Sequence, residues 1–408
     1  MPKTWKISAP LLTAVGFLFA TTTRTTYAQE PVGATNLGFF HQISQADELC
    51  VGGSGPAPSF AGWIGLDGDT GLIRYWHAEE DPDNAPIVLS MGGGPGSSGM
   101  MNALLYEAPC LLGVNGSTTP NENRWTAKFN LLALDHPIGV GYSYGTRVNN
   151  SRDAAEDVYD FLQKFFALYP GLSKNQLVLA DGSYGGVYLA HIGSVINDHN
   201  KEALHANDAT HTDAGGAEGK NIHVNLESII LHNPIFTANE YAEPIGVNAN
   251  RSVEASNICL GQFSAGSTNG ILLEDIRKRK PTNHEDTNSI QPHHLLYEPL
   301  LKDGIRILFT IGAQDANCAW PGVLSSVSNV LTLSSPIKLL EFPYQAEFLG
   351  AEDVAWPSRN ITVRKTGPGG AGHLTYVLLQ DAGHTVGQDQ PAYTKEIAEK
   401  WVFNEPFF

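Results

Sequence analysis

The heptapeptide ADGSYGG at residues 180–186 constrains the fold of this chain more than any other stretch. The apolar run 177–179 precedes it and the apolar stretch 187–196 follows it, which predicts a strand, a sharp turn and a helix with Ser183 at the apex. Such a turn exposes a serine hydroxyl and requires small residues nearby, and Gly185 is one. Glycine-rich turns are also common connections, so the motif alone leaves two interpretations of Ser183, a nucleophile or a turn residue.

Short apolar runs and helical patterns alternate along the rest of the chain. Apolar residues at helical spacing from Asp153 to Leu168 predict one helix, and the pattern from Pro391 to about Phe403 predicts the last one. The predicted strands are residues 59–66 and 72–77, which form a hairpin, and 87–91, 131–134, 226–231, 305–311, 337–342 and 374–379. This order predicts an α/β fold with a doubly wound, mostly parallel sheet and helices on both faces. Ligands of such sheets bind at the carboxyl ends of the strands.

Two segments lack this alternation. Residues 199–222 are polar or rich in alanine and glycine, which predicts a surface loop. Residues 236–300 contain no long strand and fall between sheet elements, so we expect a short cap over the site. The basic run 277–280 within them is either a solvated face or a site of proprotein cleavage.

The N-terminus resembles a secretory signal peptide. Lys3 and Lys6 precede the apolar segment 7–20, and Ala28 offers a small residue at the cleavage point, so we expect residues 1–28 to be removed. The apolar segment is too short to span a bilayer. The net charge of −17 argues against nucleic acid or an anionic membrane as a partner. We therefore expect a protein delivered outside the cell or to a vacuole.

Cysteines and glycosylation sequons fit this destination. The four cysteines, Cys50, Cys110, Cys259 and Cys318, allow three pairings into two disulfides, and their spacing matches no zinc motif. We therefore predict no metal. Sequons begin at Asn115, Asn149, Asn250 and Asn360, each of which predicts a surface position that carries glycan.

A serine nucleophile needs a base and a carboxylate that orients the base. In α/β-hydrolases these groups follow the serine in the order acid, histidine, on loops after late strands. Asp315 follows the predicted strand 305–311, and His384 follows the predicted strand 374–379. A lone aspartate or histidine after a strand is more often a turn or surface residue, so position alone does not assign these roles.

The residues around these positions are more specific. Several blocks, in order from about Cys50 to the C-terminus, resemble the serine carboxypeptidase family, and its secreted fungal members in particular. The blocks are Gly93 to Ser98, Tyr106-Glu107, Asp135 to Tyr144, Ser183 to Gly186, Asp315 with Cys318 and Trp320, Ala382 to His384, and Asp389 to Pro391.

The resemblance implies an α/β-hydrolase domain over residues 29–408, with the cap inserted at about 236–300. It implies a catalytic triad of Ser183, Asp315 and His384 that acts without a cofactor on the C-termini of peptides and proteins. It also implies an oxyanion hole made by the backbone N–H groups of Gly94 and Tyr184, next to a helix N-terminus that favours negative charge.

The chain departs from the family where the family binds the substrate's terminal carboxylate. Those substrate-binding positions fall on Gly92, Gly93, Glu107 and Gly182, where the family has asparagine at the first and a glutamate at the last. The close pair of glutamates that the family forms cannot form with Gly182. Asp181 stands where the family usually has glycine, and its side chain crowds the turn unless the turn relaxes or the carboxylate finds a local donor.

Three functional hypotheses follow. The first is a secreted serine carboxypeptidase that forms an acyl-enzyme on Ser183. The second keeps the triad but changes the substrate to that of an esterase or acyltransferase, because Gly92 and Gly182 remove groups that hold a carboxylate. The third is a weakly active or inactive relative that acts as a binding protein, because Asp181 crowds the turn.

Overall fold

One mixed sheet organises the chain. The computed structural model describes residues 37–50, 59–78, 81, 83–113, 115–208, 221–235, 293–315, 318, 320, 323, 324, 327 and 341–408. The strands of this sheet are β1 (His41–Gln45), β2 (Ser59–Gly65), β3 (Gly71–Ala78), β4 (Ile87–Ser90), β7 (Asn130–Leu134), β8 (Tyr144–Gly145), β9 (Leu177–Gly182), β10 (Leu226–His232), β11 (Arg306–Gly312), β12 (Val354–Ala355), β13 (Ile361–Thr366) and β14 (Leu374–Leu379). β5 (Cys110–Leu112) and β6 (Thr118–Pro120) form a separate antiparallel pair.

The strand order is β1-β2-β3-β7-β4-β9-β10-β11-β14-β13-β12, and β8 pairs with β3 outside this path. The strands from β7 through β4, β9, β10 and β11 to β14 are parallel, and the strands at both edges are antiparallel. The central strands are apolar on both faces, as expected where helices cover both sides of a parallel sheet. The predicted fold class is confirmed.

Helices pack on the two faces in separate layers. They are α1 (Gly99–Tyr106), α2 (Ser151–Leu168), α3 (Gly185–Asp208), α4 (Tyr297–Lys302), α5 (Gln345–Gly350), α6 (Val386–Asp389) and α7 (Pro391–Val402). Alternate residues of β9 point to opposite layers: Leu179 packs in the core beside α2 and α3, and Val178 packs in the core with Trp401 of α7. The pattern of β9 therefore fixes which face each neighbouring residue occupies.

Helix α3 is longer than the sequence indicates. Residues 199–208 belong to it, so the predicted surface loop 199–222 is wrong over this part, and residues 209–220 lie outside the described residues. The contacts there are polar: the His199 ring stacks on Tyr159 at 4.1 Å, and Asn200 bonds to both backbone groups of Val224. Polar contacts leave no apolar periodicity to recognise.

The segment predicted as a cap lies mostly outside the described residues, which resume at His293. Residues 293–302 form a 3-10 turn and α4, and Tyr297 and Leu300 are buried against α3. Residues 297 and 300 thus belong to the core of the domain, although the predicted cap extended to residue 300. Residues 337–340 of one predicted strand also lie outside the described part, and Glu341 and Phe342 are not in a strand.

Cys50 and Cys110 form a disulfide. Of the three pairings that four cysteines allow, this bond leaves the one that also joins Cys259 to Cys318, and Cys259 lies outside the described residues. The sequon residues Asn115, Asn149 and Asn360 are exposed, and Asn250 is outside the described residues. Among the helices that the structure describes, none combines the length and apolar content needed to cross a bilayer.

Candidate active site

The turn after β9 carries Ser183 in a strained conformation. Its φ of +57° lies in the left-handed region that residues with a side chain rarely adopt. Hydrogen bonds to the end of β10 hold it there: the Ser183 N–H donates to the His232 carbonyl at 3.0 Å, and the Ser183 carbonyl accepts from the Ile235 N–H at 2.7 Å. Helix α3 begins two residues later, at Gly185. The predicted strand, turn and helix are confirmed.

The glycine loop after β4 lies directly against this turn. A Cβ atom on Gly93 would lie 2.4 Å from the Gly182 carbonyl oxygen and 3.1 Å from the Tyr184 backbone nitrogen, so only glycine permits this approach. Gly94 follows with a φ of +108°. The two segments that supply the predicted oxyanion donors, Gly94 and Tyr184, are therefore in contact.

Asp135 fixes the far end of the glycine loop. The Ser98 hydroxyl donates to the Asp135 carboxylate, and the Tyr142 N–H donates to its other oxygen at 2.9 Å. The same Ser98 hydroxyl accepts from the Met101 N–H at 3.3 Å and so caps α1. Burial raises the pKa of Asp135, while these donors oppose the rise.

His384 and Asp315 meet at the same edge of the sheet. Nδ1 of His384 lies 2.8 Å from Oδ2 of Asp315, and the Asp315 side chain is fully covered while that of His384 is 30% exposed. The two loops are joined by the Gln314 N–H, which donates to the Ala382 carbonyl at 2.9 Å. A buried acid thus orients a histidine that faces solvent, which is the arrangement that a catalytic base needs.

Asn233 also holds Asp315, and the sequence reasoning missed it. Its Nδ2 donates to Oδ2 of Asp315 at 2.6 Å, and its Oδ1 accepts from the Gly312 N–H at 3.1 Å. Asn233 is buried and has a φ of +43°, a conformation that asparagine tolerates better than most residues. Its one sequence signal is its place directly after a predicted strand.

Asp315, His384 and Cys318 form a group of potential metal ligands whose ligand atoms lie within 4.8 Å of one another. Hydrogen bonds already engage both Asp315 oxygens: His384 and Asn233 bind Oδ2, and the Cys318 N–H donates to Oδ1 at 3.0 Å. We therefore interpret the group as a hydrogen-bonded acid and base and not as a metal centre.

The sequence model described as serine carboxypeptidase matches residues 55–252 and 274–404. The chain belongs to the serine carboxypeptidase family. It is therefore a hydrolase of the serine-type peptidase class.

Curated relatives extend over most of the chain. Carboxypeptidase Y homolog A from Aspergillus oryzae is 24% identical over 453 residues, which cover 90% of this chain and 78% of that protein. Serine carboxypeptidase-like 49 from Arabidopsis thaliana is 25% identical over 399 residues, which cover 82% and 74%.

A solved structure shows the same fold. The crystal structure of KEX1(delta)p, a prohormone-processing carboxypeptidase from Saccharomyces cerevisiae, matches with a TM-score of 0.62 at 18% identity, covering 88% of this chain and 95% of that chain. The chain thus has the α/β-hydrolase fold.

Gly92 and Gly182, the two positions where the sequence analysis expects a departure from the family, each have backbone atoms close to where a side chain would begin. A Cβ atom on Gly92 would lie 2.3 Å from the Ser97 carbonyl oxygen, and one on Gly182 would lie 2.9 Å from the His232 carbonyl oxygen. Both obstacles are backbone atoms: the first belongs to the glycine loop and the second to the end of β10. The backbone around the turn therefore has to shift before either position accepts a side chain.

Glu107, which the sequence analysis lists among the substrate-binding positions, directly follows α1 and is fully buried. Both of its carboxylate oxygens are buried. Burial raises its pKa to about 7, and the nearby Ser90 and Tyr106 hydroxyls oppose the rise. Glu107 is thus a neutral acid over the acidic range and has no solvent-facing oxygen for a peptide carboxylate.

The imidazole of His232 is also buried, and neither of its ring nitrogens has a hydrogen-bond partner among the described residues. Its ring contacts the edges of Tyr106 and Trp125, and burial lowers its pKa to about 4. Its backbone carbonyl holds Ser183, and its register partner on β9 is Gly182. A neutral imidazole therefore lies behind the turn.

Asp181 fits inside the turn by way of a local donor. Its Oδ1 accepts the N–H of Gly182 at 2.7 Å, and its Cγ would lie 2.4 Å from a Cβ atom on Gly185. Glycine at position 185 thus leaves the space that the aspartate occupies. The turn carries this side chain and retains the left-handed conformation of Ser183.

We predict that Asn233→Ala lowers kcat about tenfold to a hundredfold and leaves KM nearly unchanged. The side chain donates to the acid that orients His384, and a hydrogen bond to a charged group contributes roughly 1.5 to 3 kcal/mol. Steady-state hydrolysis of a blocked dipeptide or a small aryl ester measures both constants.

Asn130→Ala is the matched control for Asn233→Ala. Asn130 is equally buried and donates to two backbone carbonyls at the opposite edge of the sheet. We expect it to lower the melting temperature without lowering kcat. A kcat that falls equally in both variants would contradict a specific role for Asn233.

We predict that Glu107→Gln reduces the loss of stability that the protein shows on going from acidic to neutral pH. The pKa of Glu107 is about 7 in the folded chain and 4.5 when unperturbed, so its contribution is complete below pH 4.5 and is lost as pH rises through 7. The difference corresponds to roughly 3 kcal/mol.

Urea denaturation of the parent and the variant between pH 4.5 and 7, the range set by those pKa values, measures this difference. Glu352→Gln, at an exposed position, is the control: its free energy of unfolding should change with pH as the parent's does. If the free energy of unfolding changed with pH equally in the parent and in Glu107→Gln, Glu107 would not hold its proton in the folded state.

Proposed function

We propose that this chain is a secreted serine carboxypeptidase that removes C-terminal residues from peptides through an acyl-enzyme on Ser183. The observation that carries the proposal is the 2.8 Å contact between His384 and a fully covered Asp315, at the sheet edge where the strained turn presents Ser183. Family membership supports peptide substrates.

In the proposed mechanism, His384 accepts the proton of the Ser183 hydroxyl as its oxygen attacks the carbonyl of the last peptide bond. Asp315 holds the imidazole in the orientation that this transfer needs. The N–H groups of Gly94 and Tyr184 stabilise the oxyanion, and each such donor typically contributes about 3 kcal/mol. His384 then protonates the leaving amine, and water cleaves the acyl-enzyme with His384 again as the base.

The proposed destination rests on several features of the chain. The N-terminal 28 residues resemble a signal peptide, three of the four sequon asparagines are exposed, and a disulfide joins Cys50 to Cys110. Disulfides persist in oxidising compartments and are rare in the cytosol. Secretion or delivery to a vacuole fits these features.

An esterase or acyltransferase is the second candidate. It is favoured by the backbone atoms that fill the space beside Gly92 and Gly182, and by the burial of Glu107. A site without these side chains has fewer donors for a free terminal carboxylate. A binding protein without activity is favoured less, because the acid and histidine are in hydrogen-bond contact.

We predict that Ser183→Ala lowers kcat on blocked dipeptides by roughly 10⁴-fold or more, because the acyl-enzyme cannot form. Ser173→Ala, on a loop at the amino end of β9, is the matched control and should keep full activity. Labelling by a fluorophosphonate probe provides a second readout, since only an activated serine reacts quickly. Equal turnover by the parent and Ser183→Ala would rule out the mechanism.

We predict that peptides with a free terminal carboxylate are hydrolysed at least about tenfold faster, in kcat/KM, than the same peptides with a terminal amide. A carboxylate that contributes a charged hydrogen bond gives at least this ratio. Small aryl esters are measured in parallel. Equal rates on acid and amide, together with rapid ester hydrolysis, would support the second candidate instead.

A further inference from the structure

Asp181 lies inside the turn that carries Ser183, and its carboxyl group is only half satisfied. The residue is 1% exposed. Oδ1 accepts the Gly182 N–H at 2.7 Å, whereas Oδ2 accepts no hydrogen bond from any residue that the structure describes. An ionised carboxylate is very costly to bury in this state, so the neutral acid is the form that fits.

The groups around Asp181 strengthen this conclusion. The titratable side chains that interact with it come from three elements: Tyr188 of α3, Tyr297 of α4, and Tyr106 and Glu107 at the end of α1. None of these is a cation, and an ionised Glu107 adds a like charge. Burial raises the pKa of Asp181 well above its usual range, the Gly182 N–H opposes the rise, and Glu107 adds to it.

The side chain contacts both arms of the turn. Its oxygen binds the amide of the residue before Ser183, and its Cγ fills the space beside Gly185, the first residue of α3. A negative charge at this point would lie under the N-terminus of a helix of 24 residues. It would offset the positive field that the Tyr184 amide offers to a developing oxyanion.

We propose that Asp181 is a positioning residue that braces the turn around Ser183 while its carboxyl group is protonated, and that loss of this proton weakens stabilisation of the oxyanion. The proposal rests on the proposed role of Ser183 as the nucleophile. It predicts that the rate of reaction at Ser183 falls at alkaline pH because Asp181, in the turn itself, loses its proton. The fall in rate at acidic pH comes from protonation of the proposed base, His384, and every variant described below shares that fall.

The test is the rate of Ser183 labelling by a fluorophosphonate from about pH 5 to about pH 10. The parent rate should fall about tenfold or more on the alkaline side. Asp181→Asn, which has the same shape and cannot ionise, should lack this fall. Asp157→Asn is the control: burial raises the pKa of Asp157 to about 6, but it lies on α2 among other acidic residues, and its variant should follow the parent.

Two further variants keep the proposal falsifiable. Glu107→Gln removes the like charge, so Asp181 should lose its proton more readily and the alkaline fall should move to lower pH. A purely structural role for Asp181 predicts no such movement. Asp181→Gly, which any turn geometry accepts, should label more slowly than the parent below the alkaline fall and should show no alkaline fall of its own, even if the asparagine variant does not fold.

The outcomes separate the two proposals. An alkaline fall that persists in the Asp181 variants, or a parent rate without any fall, overturns the role of Asp181 and leaves Ser183 as the nucleophile. A parent protein that does not label at any pH overturns the proposed function, and the role of Asp181 with it.

Discussion

The backbone hydrogen bonds between the Ser183 turn and β10 are the constraint on which the site depends. A non-glycine residue in the left-handed region costs of order 1 to 3 kcal/mol and persists only where its surroundings fix it. Here the His232 carbonyl and the Ile235 N–H hold Ser183 from both sides. The hydroxyl of Tyr297 adds a bond to the Gly186 carbonyl at 2.7 Å, which fixes the start of α3. The strain is therefore balanced by contacts from β10 and α4.

The end of β10 also positions the acid. His232 supplies its carbonyl to Ser183, and the next residue, Asn233, supplies its side-chain amide to Asp315. The end of β10 thus positions both Ser183 and Asp315, and His384 is positioned in turn by its hydrogen bond to Asp315. A shift of β10 by one residue would displace all of these groups together, because register decides which side chain faces which.

The sequence predicted the central strands along the chain, the turn, and the places of Asp315 and His384 after late strands, because apolar runs and glycine turns are local signals. It did not predict Asn233, because that contact joins residues that are 82 positions apart and depends on the register of β10 against β11. The polar contacts of α3 at His199 and Asn200 left no periodicity to read. The departures at Gly92 and Gly182 were visible, but the backbone atoms that occupy their side-chain space were not.

Those backbone atoms restrict which residues positions 92 and 182 can accept. Any side chain at position 92 would collide with the Ser97 carbonyl, so the glycine loop would have to change its conformation to accept one. That loop is fixed at its other end by the Ser98 bond to Asp135 and at its middle by contact with the Ser183 turn. A change in the loop that separated residue 92 from the Ser97 carbonyl would also move the Gly94 amide, which we propose as an oxyanion donor. The position of the Gly94 amide and the absence of a side chain at position 92 are therefore coupled, because the same short backbone segment determines both.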